Sequence, residues 1–244
     1  MALTNFPQGM RAVVWGGSGG IGRAFIDHLA GDDLVGEVVA VSRRAVDAGG
    51  KVRAIGYDPS DEASVADAAE AASDGKPVHL VLVATGTLHG TTYQPEKALR
   101  QLDPGAFLEV MRINALLPAL IAKASVAHLD KDRSVFAALS ARVGSISDNG
   151  LGGWHSYRAS KAALNMLLRN IAIETARRNK GAVIVGVHPG TVDTSLSEPF
   201  QGNVPESKLF TPNRSAGEML RVVDGLTPNA TGHCFDYAGK MIPF

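Results

Sequence analysis

Cysteine is nearly missing. Cys234 is the one thiol in 244 residues, which excludes a disulfide framework and a cysteine-based zinc site and fits a reducing compartment. No other metal site is expected. An excess of charge of one sign is missing too. Lys plus Arg number 24 and Asp plus Glu 24, so neither nucleic acid nor an anionic membrane is expected as partner. Residues 1–7 lack the basic and apolar blocks of a signal peptide. No uninterrupted apolar run reaches the ~18 residues of a membrane span. No repeat and no low-complexity linker divides the chain. The expectation is a cytoplasmic protein with one domain over 1–244. Apolar residues at 45% and charged ones at 20% leave material for a sizeable core.

What is there alternates. Short apolar runs at 11–15, 37–42, 51–57, 78–84, 134–139, 182–187 and 233–237 read as strands. Helical stretches at 23–30, up to 72, 104–127, 162–176 and 212–225 separate most of them. Val78-His79-Leu80-Val81-Leu82-Val83-Ala84 is the strongest strand, and so apolar a run suits the middle of a parallel sheet covered on both faces. Strand–helix alternation predicts an α/β fold, a single-domain Rossmann-type doubly wound parallel sheet of about seven strands with helices on both faces. Ligands of such sheets lie at the carboxyl ends of the strands. Pro118, inside the 104–127 helix, predicts a bend there. Residues 195–210, with two prolines and no period, read as a lid over the site.

The first strand runs into Gly16-Gly17-Ser18-Gly19-Gly20-Ile21-Gly22 and then a helix. That order suits a dinucleotide pyrophosphate: glycines let the backbone approach the phosphates, and a helix N-terminus offers free N–H groups and a positive dipole. Gly16, Ser18, Gly19, Gly20 and Ile21 are therefore candidate cofactor contacts. The second strand ends in Ser42-Arg43-Arg44, where an acidic residue would take the ribose hydroxyls. Hydroxyl and guanidinium groups suit a 2′-phosphate. NADP(H) is expected over NAD(H), with Ser42 and Arg43 as contacts. Asp58 is read as a partner for the adenine amine or as a plain turn residue. Small side chains at Ala84, Thr85 and Gly86 would let a ligand lie against the fourth strand.

Tyr157 and Lys161 stand four apart, on one face of a helix. A cation beside a phenol favours the phenolate, so the pair is expected to make a general acid/base near neutrality.

With these residues placed, the chain resembles the short-chain dehydrogenase/reductases over essentially its whole length. The matching features are Gly16-x-x-x-Gly20-Ile21-Gly22, Ala84-Thr85-Gly86, Asn114, the serine after the fifth strand, Tyr157-x-x-x-Lys161 and Pro189-Gly190. Within the family it is most similar to the C-factor and sniffer-like carbonyl reductases, from Arg142-Val143-Gly144-Ser145-Ile146 and Tyr157-Arg158-Ala159-Ser160-Lys161. The resemblance implies hydride exchange between a nicotinamide and a carbonyl or alcohol. Tyr157 would move the proton, and Lys161 would lower its pKa and hold the ribose. Asn114 would hold a water, and a serine would bind the substrate oxygen. Pro189, Gly190, Val192 and Thr194 would seat the carboxamide. It also implies a homodimer or homotetramer.

Three departures stand out. Trp15 precedes the first glycine where a threonine is usual. Ala84-Thr85 replaces Asn-Ala. The serine is Ser140 counted from the strand and Ser145 counted back from Tyr157, with Ala141 at the position selected by Gly144; Ser140 is preferred. The competing reading is a C-factor-like, cofactor-binding signalling or regulatory protein with little turnover.

Overall fold

The computed structural model describes residues 3–202 and 204–244. Met1 and Ala2 of the 1–7 reading, and Asn203 of the 195–210 segment, lie outside the described residues, as does the side chain of Glu206.

One eight-stranded sheet carries the fold. Its strands are β1 (Met10–Trp15), β2 (Val35–Ser42), β3 (Val52–Gly56), β4 (Leu80–Val83), β5 (Ser134–Leu139), β6 (Ala182–His188), β9 (Cys234–Asp236) and β10 (Met241–Ile242), in the order β10-β9-β6-β5-β4-β1-β2-β3. All neighbours are parallel except β9 and β10. A separate parallel pair joins β7 (Thr191–Val192) to β8 (Leu209–Phe210). The eighth sheet strand, β10, is two residues long and gives no periodic signal. The apolar runs became strands because both faces are covered: every residue of β1 and β4 is buried.

Helices α1 (Gly20–Ala30) and α6 (Pro212–Gly225) pack together on one face, over a core that includes Phe25, Leu29, Met219 and Val223. Helices α2 (Glu62–Ser73), α4 (Leu117–Ser125) and α5 (His155–Ala176) cover the other, over Val81, Phe136, Ile121 and Leu168. On α5, Leu164, Leu168 and Ala172 repeat every four residues and are all buried. Asp61, Asp103 and Thr211 cap α2, α3 (Pro104–Met111) and α6 with side-chain oxygens.

Between α3 and α4 the helix widens into one π-turn, Arg112–Leu116, just ahead of Pro118. A proline ring crowds the carbonyl four residues back, here Asn114, and the wider turn relieves that contact. The bend expected at Pro118 is thus taken up one turn earlier. The continuous helical stretch Pro104–His128 is long and apolar enough to cross a membrane by length and composition. Its inner face, with Val110, Ile121 and Ala122, is packed in the protein. Leu108 and Leu116 on it are exposed.

Candidate active site

A long cleft runs past the carboxyl ends of six strands, touching Gly16 after β1, Ser42 on β2, Tyr57 after β3, Ala84 after β4, Leu139 on β5 and Pro189 after β6. It straddles β1 and β4, where the strand order reverses, the place such sheets offer to a ligand.

At one end stands the glycine turn. Gly16 has φ +83°, and a Cβ there would lie 3.0 Å from the Ala84 backbone. A Cβ on Gly22 would fall 2.2 Å from the Gly16 carbonyl oxygen. Only glycine lets the chain fold this tightly. Helix α1 then begins at Gly20 with Gly19 as its cap and no side chain closing it, so its first N–H groups face outward as an anion cradle. Ser42 donates to Ser18 at 2.7 Å. Arg43 and Arg44 are exposed on the cleft wall. Thr85 keeps a buried hydroxyl without a partner. Free helix N–H groups, an orphaned hydroxyl, and arginines where a carboxylate would sit fit a phosphorylated dinucleotide.

Trp15 is buried, its indole N–H finds no partner, and its ring meets Tyr57 edge-on at 5.0 Å. Asp58 does not line the cleft. It is exposed, and its carboxylate accepts from the Ser60 N–H and hydroxyl, as in an ordinary turn.

At the other end stand Tyr157 and Lys161, both on the cleft. The ammonium lies 5.8 Å from the Tyr157 ring centre and donates to the Leu139 carbonyl at 2.8 Å. Gly86 lies beside it, where a Cβ would sit 3.8 Å from Nζ, an ordinary contact distance. Burial dominates both groups. It pushes the Tyr157 phenol up to about 12 and the Lys161 ammonium down to about 8. The expected lowering of the phenol by Lys161 is therefore not what this arrangement does. The charge is spent on a carbonyl and held at ring distance, and desolvation outweighs it.

Asn114 is fully buried. Its amide accepts from Thr87 N–H and donates to Thr87 O, both at 2.8 Å, and lies 3.0 Å from the Ser160 hydroxyl. It staples the loop after β4 to α5 from behind the cleft, where a bridging role through water was expected.

Ser140 lines the cleft, but its hydroxyl proton goes to Asn165 Oδ1 at 2.7 Å. Ser145 is buried off the cleft, accepting from Asp148 N–H. Ala141 is buried as well. Pro189 and Thr194 line the cleft; Gly190 and Val192 stand behind them. Gly190 has φ +79°, with Phe210 and Tyr237 both 3.2 Å from where a Cβ would sit.

Several wall residues escaped the sequence reading: Tyr57, Thr87, His89, Tyr93 and Arg112. Ser195 and Leu196 of the 195–210 segment also line the cleft. Phe200 meets Trp154 at 5.3 Å and His89 at 5.7 Å, and Trp154 meets Tyr157 at 6.1 Å. Loop side chains have no periodicity, so the sequence points to the segments that hold them without giving the direction of any one side chain.

A glycine turn, an uncapped helix and a Tyr–Lys pair on one cleft define a class of nucleotide-dependent oxidoreductase. The family profile described as short chain dehydrogenase matches residues 10–204, and the chain belongs to that family. C-signal of Myxococcus xanthus is 38% identical over 149 residues, which is 60% of this chain and 84% of that protein. Among solved structures, the NADPH-bound carbonyl reductase from chicken fatty liver superposes with a TM-score of 0.83 at 24% identity, covering 98% of this chain and 96% of that one. The carbonyl reductase Sniffer of D. melanogaster gives 0.83 at 16%, covering 97% and 100%.

Proposed function

We propose that the protein is an NADP(H)-preferring carbonyl reductase or alcohol dehydrogenase in which Tyr157 is the general acid/base. The observation that carries this is the phenol of Tyr157 on the same cleft as the glycine turn, with Lys161 one helical turn away. The nicotinamide, when bound, exchanges a hydride with the substrate carbon. The remaining work belongs to the chain. A phenol held protonated at neutral pH is the form that donates to a carbonyl oxygen as it gains charge. Lys161, held by Leu139 O, would offer its remaining N–H donors to the nicotinamide ribose. Uncapped N–H groups of α1 bind phosphate, and Arg43 with Ser42 supports the choice of NADP(H). Tyr157, Lys161, Ser140 and Asn114 are the catalytic set of this reading, Asn114 acting through the loop it holds. The substrate is a small carbonyl compound.

Following NADPH absorbance against a panel of ketones and aldehydes tests it. Turnover is expected with some member. No turnover with any, alongside tight NADPH binding, favours the second reading. That reading, a cofactor-binding signalling or regulatory protein, is supported by the likeness to C-signal and by the Ser140 hydroxyl donating to Asn165 Oδ1 and not into the cleft.

A homodimer or homotetramer is proposed through the 104–116 stretch and α5, on which Leu108, Leu116, Met166 and Ile173 are 67%, 51%, 62% and 47% exposed. Light scattering of the purified protein checks it. A cytoplasmic location belongs to the same proposal.

A further inference from the structure

Glu96 lies in the long connection between β4 and α3 and is only 5% exposed. Its carboxylate accepts from the Ser156 N–H at 3.2 Å and from the Ser156 hydroxyl. None of the ion pairs formed among the described residues includes it. A buried carboxylate without a cation is costly, so something else must offset it. The compensation is the positive end of α5, a helix of 22 residues in which Ser156 is the second. Trp154, the helix's own cap residue, contributes no side-chain bond. A residue 60 positions earlier does the capping instead.

Glu96 has a second grip. Its backbone carbonyl accepts the Trp154 N–H. Gly152, Gly153 and Trp154 take left-handed φ values of 65°, 66° and 49° in succession. Two glycines do so freely, but a tryptophan is strained there, its Cβ crowding the following carbonyl oxygen. Such strain persists only where the surroundings over-determine it. Here it turns the indole edge-on toward Tyr157, the residue that follows Ser156.

We propose that Glu96 is a positioning residue: by holding Trp154 and Ser156 it fixes where α5 begins, and so where the Tyr157 phenol stands in the cleft. The activity arm of its test rests on Tyr157 as the proton donor; the exchange arm does not.

Glu96→Ala, Glu96→Asp and Glu96→Gln separate the roles. Glu96→Ala is expected to lower kcat ~30-fold while the NADPH dissociation constant stays within about twofold, because a misplaced reacting group costs rate rather than binding. Glu96→Asp, short by one methylene, should behave like Glu96→Ala. Glu96→Gln keeps the reach and one acceptor oxygen, and should return to within about threefold of the parent. In parallel, hydrogen exchange should show lost protection confined to amides 154–160 in Glu96→Ala and Glu96→Asp. Amides of the 16–22 turn should be unchanged, and Glu96→Gln should stay protected. Unchanged protection at 154–160, or loss spread across the central strands, overturns the proposal, as does a Glu96→Gln enzyme as slow as Glu96→Ala. If the parent turns over no carbonyl, the functional reading fails and the exchange pattern still decides Glu96. Should Glu96→Ala not fold, Ser156→Ala removes the hydroxyl bond alone. It must then show the same local pattern at smaller amplitude, and a parent-like pattern refutes the idea.

Discussion

Asn114 grips Thr87 by both of its backbone groups, each at 2.8 Å, and reaches the Ser160 hydroxyl with the same amide. Thr87 lines the cleft and Ser160 sits between Tyr157 and Lys161 in sequence. The side chain is therefore a brace between the loop after β4 and the helix that carries the proposed chemistry.

Asn114→Asp keeps the shape but loses the donor, leaving the Thr87 carbonyl and a carboxylate oxygen facing each other. A loss of ~2–4 kcal/mol of stability is expected, from an unmade buried bond and a buried charge. Turnover should fall with it. Denaturant unfolding and kcat on the same sample check this; an unaltered midpoint would mean that the brace carries no load.

Cofactor choice is read from Arg43 and Ser42. Arg43→Ala should raise the NADPH dissociation constant ~10-fold, the size of one lost charge-assisted contact, and leave NADH nearly unmoved. Ser42→Asp should go further and reverse the preference by repelling the 2′-phosphate. Equal losses for both cofactors would contradict the assignment.

His188 ends β6 with a buried, unpartnered Nδ1. Burial, with smaller contributions from Arg142 and Lys161, pushes its pKa down to about 4. The folded state then binds the proton less well than the unfolded chain, whose imidazole titrates near 6.5. Stability should fall as the pH drops from about 6.5 to about 4, by at most on the order of 3 kcal/mol from this group. His188→Leu should flatten that leg of the curve. Lys161, lowered to about 8, works in the same direction higher up: stability should rise with pH between about 8 and its ordinary 10.5. Urea midpoints from pH 4 to 10 test both legs.

Phe200 bridges His89 and Trp154. Phe200→Ala removes two aromatic contacts, each worth ~0.5–1.5 kcal/mol, and opens that side of the cleft. KM for a carbonyl substrate should rise ~10-fold with kcat and NADPH binding little changed. A fall in kcat alone would instead make the segment part of the rate-limiting step.

The fold was legible because a parallel sheet writes itself as unbroken apolar runs. Val81 and Val83 face one side, Leu80 and Leu82 the other, and all are buried. The glycine turn was legible because Gly16 and Gly22 answer to backbone geometry that no other residue meets. Tyr157 and Lys161 were legible from helical spacing. What stayed hidden depends on partners brought from far along the chain. Ser140 stands at the rigid strand end to which the sequence points, and its hydroxyl donates to Asn165 on α5, a partner that spacing does not reveal. Asp58 is the local exception: its plain-turn reading, one of two open in the sequence, is what the bonds from Ser60 show. Helical spacing points to a phenol lowered by Lys161, because it shows proximity and says nothing of the burial that raises it. Glu96 sits in an aperiodic loop, where a carboxylate looks like solvated surface until the helix it caps is in view.

The most direct measurement is made on Tyr157→Phe. The phenol's high pKa has burial as its one cause, so removing the oxygen should disturb little else. NADPH-dependent carbonyl reduction should fall by ~10³-fold or more, while the NADPH dissociation constant and thermal midpoint remain those of the parent. Reduction surviving within tenfold of the parent would contradict the account, since some other group would then be giving the proton.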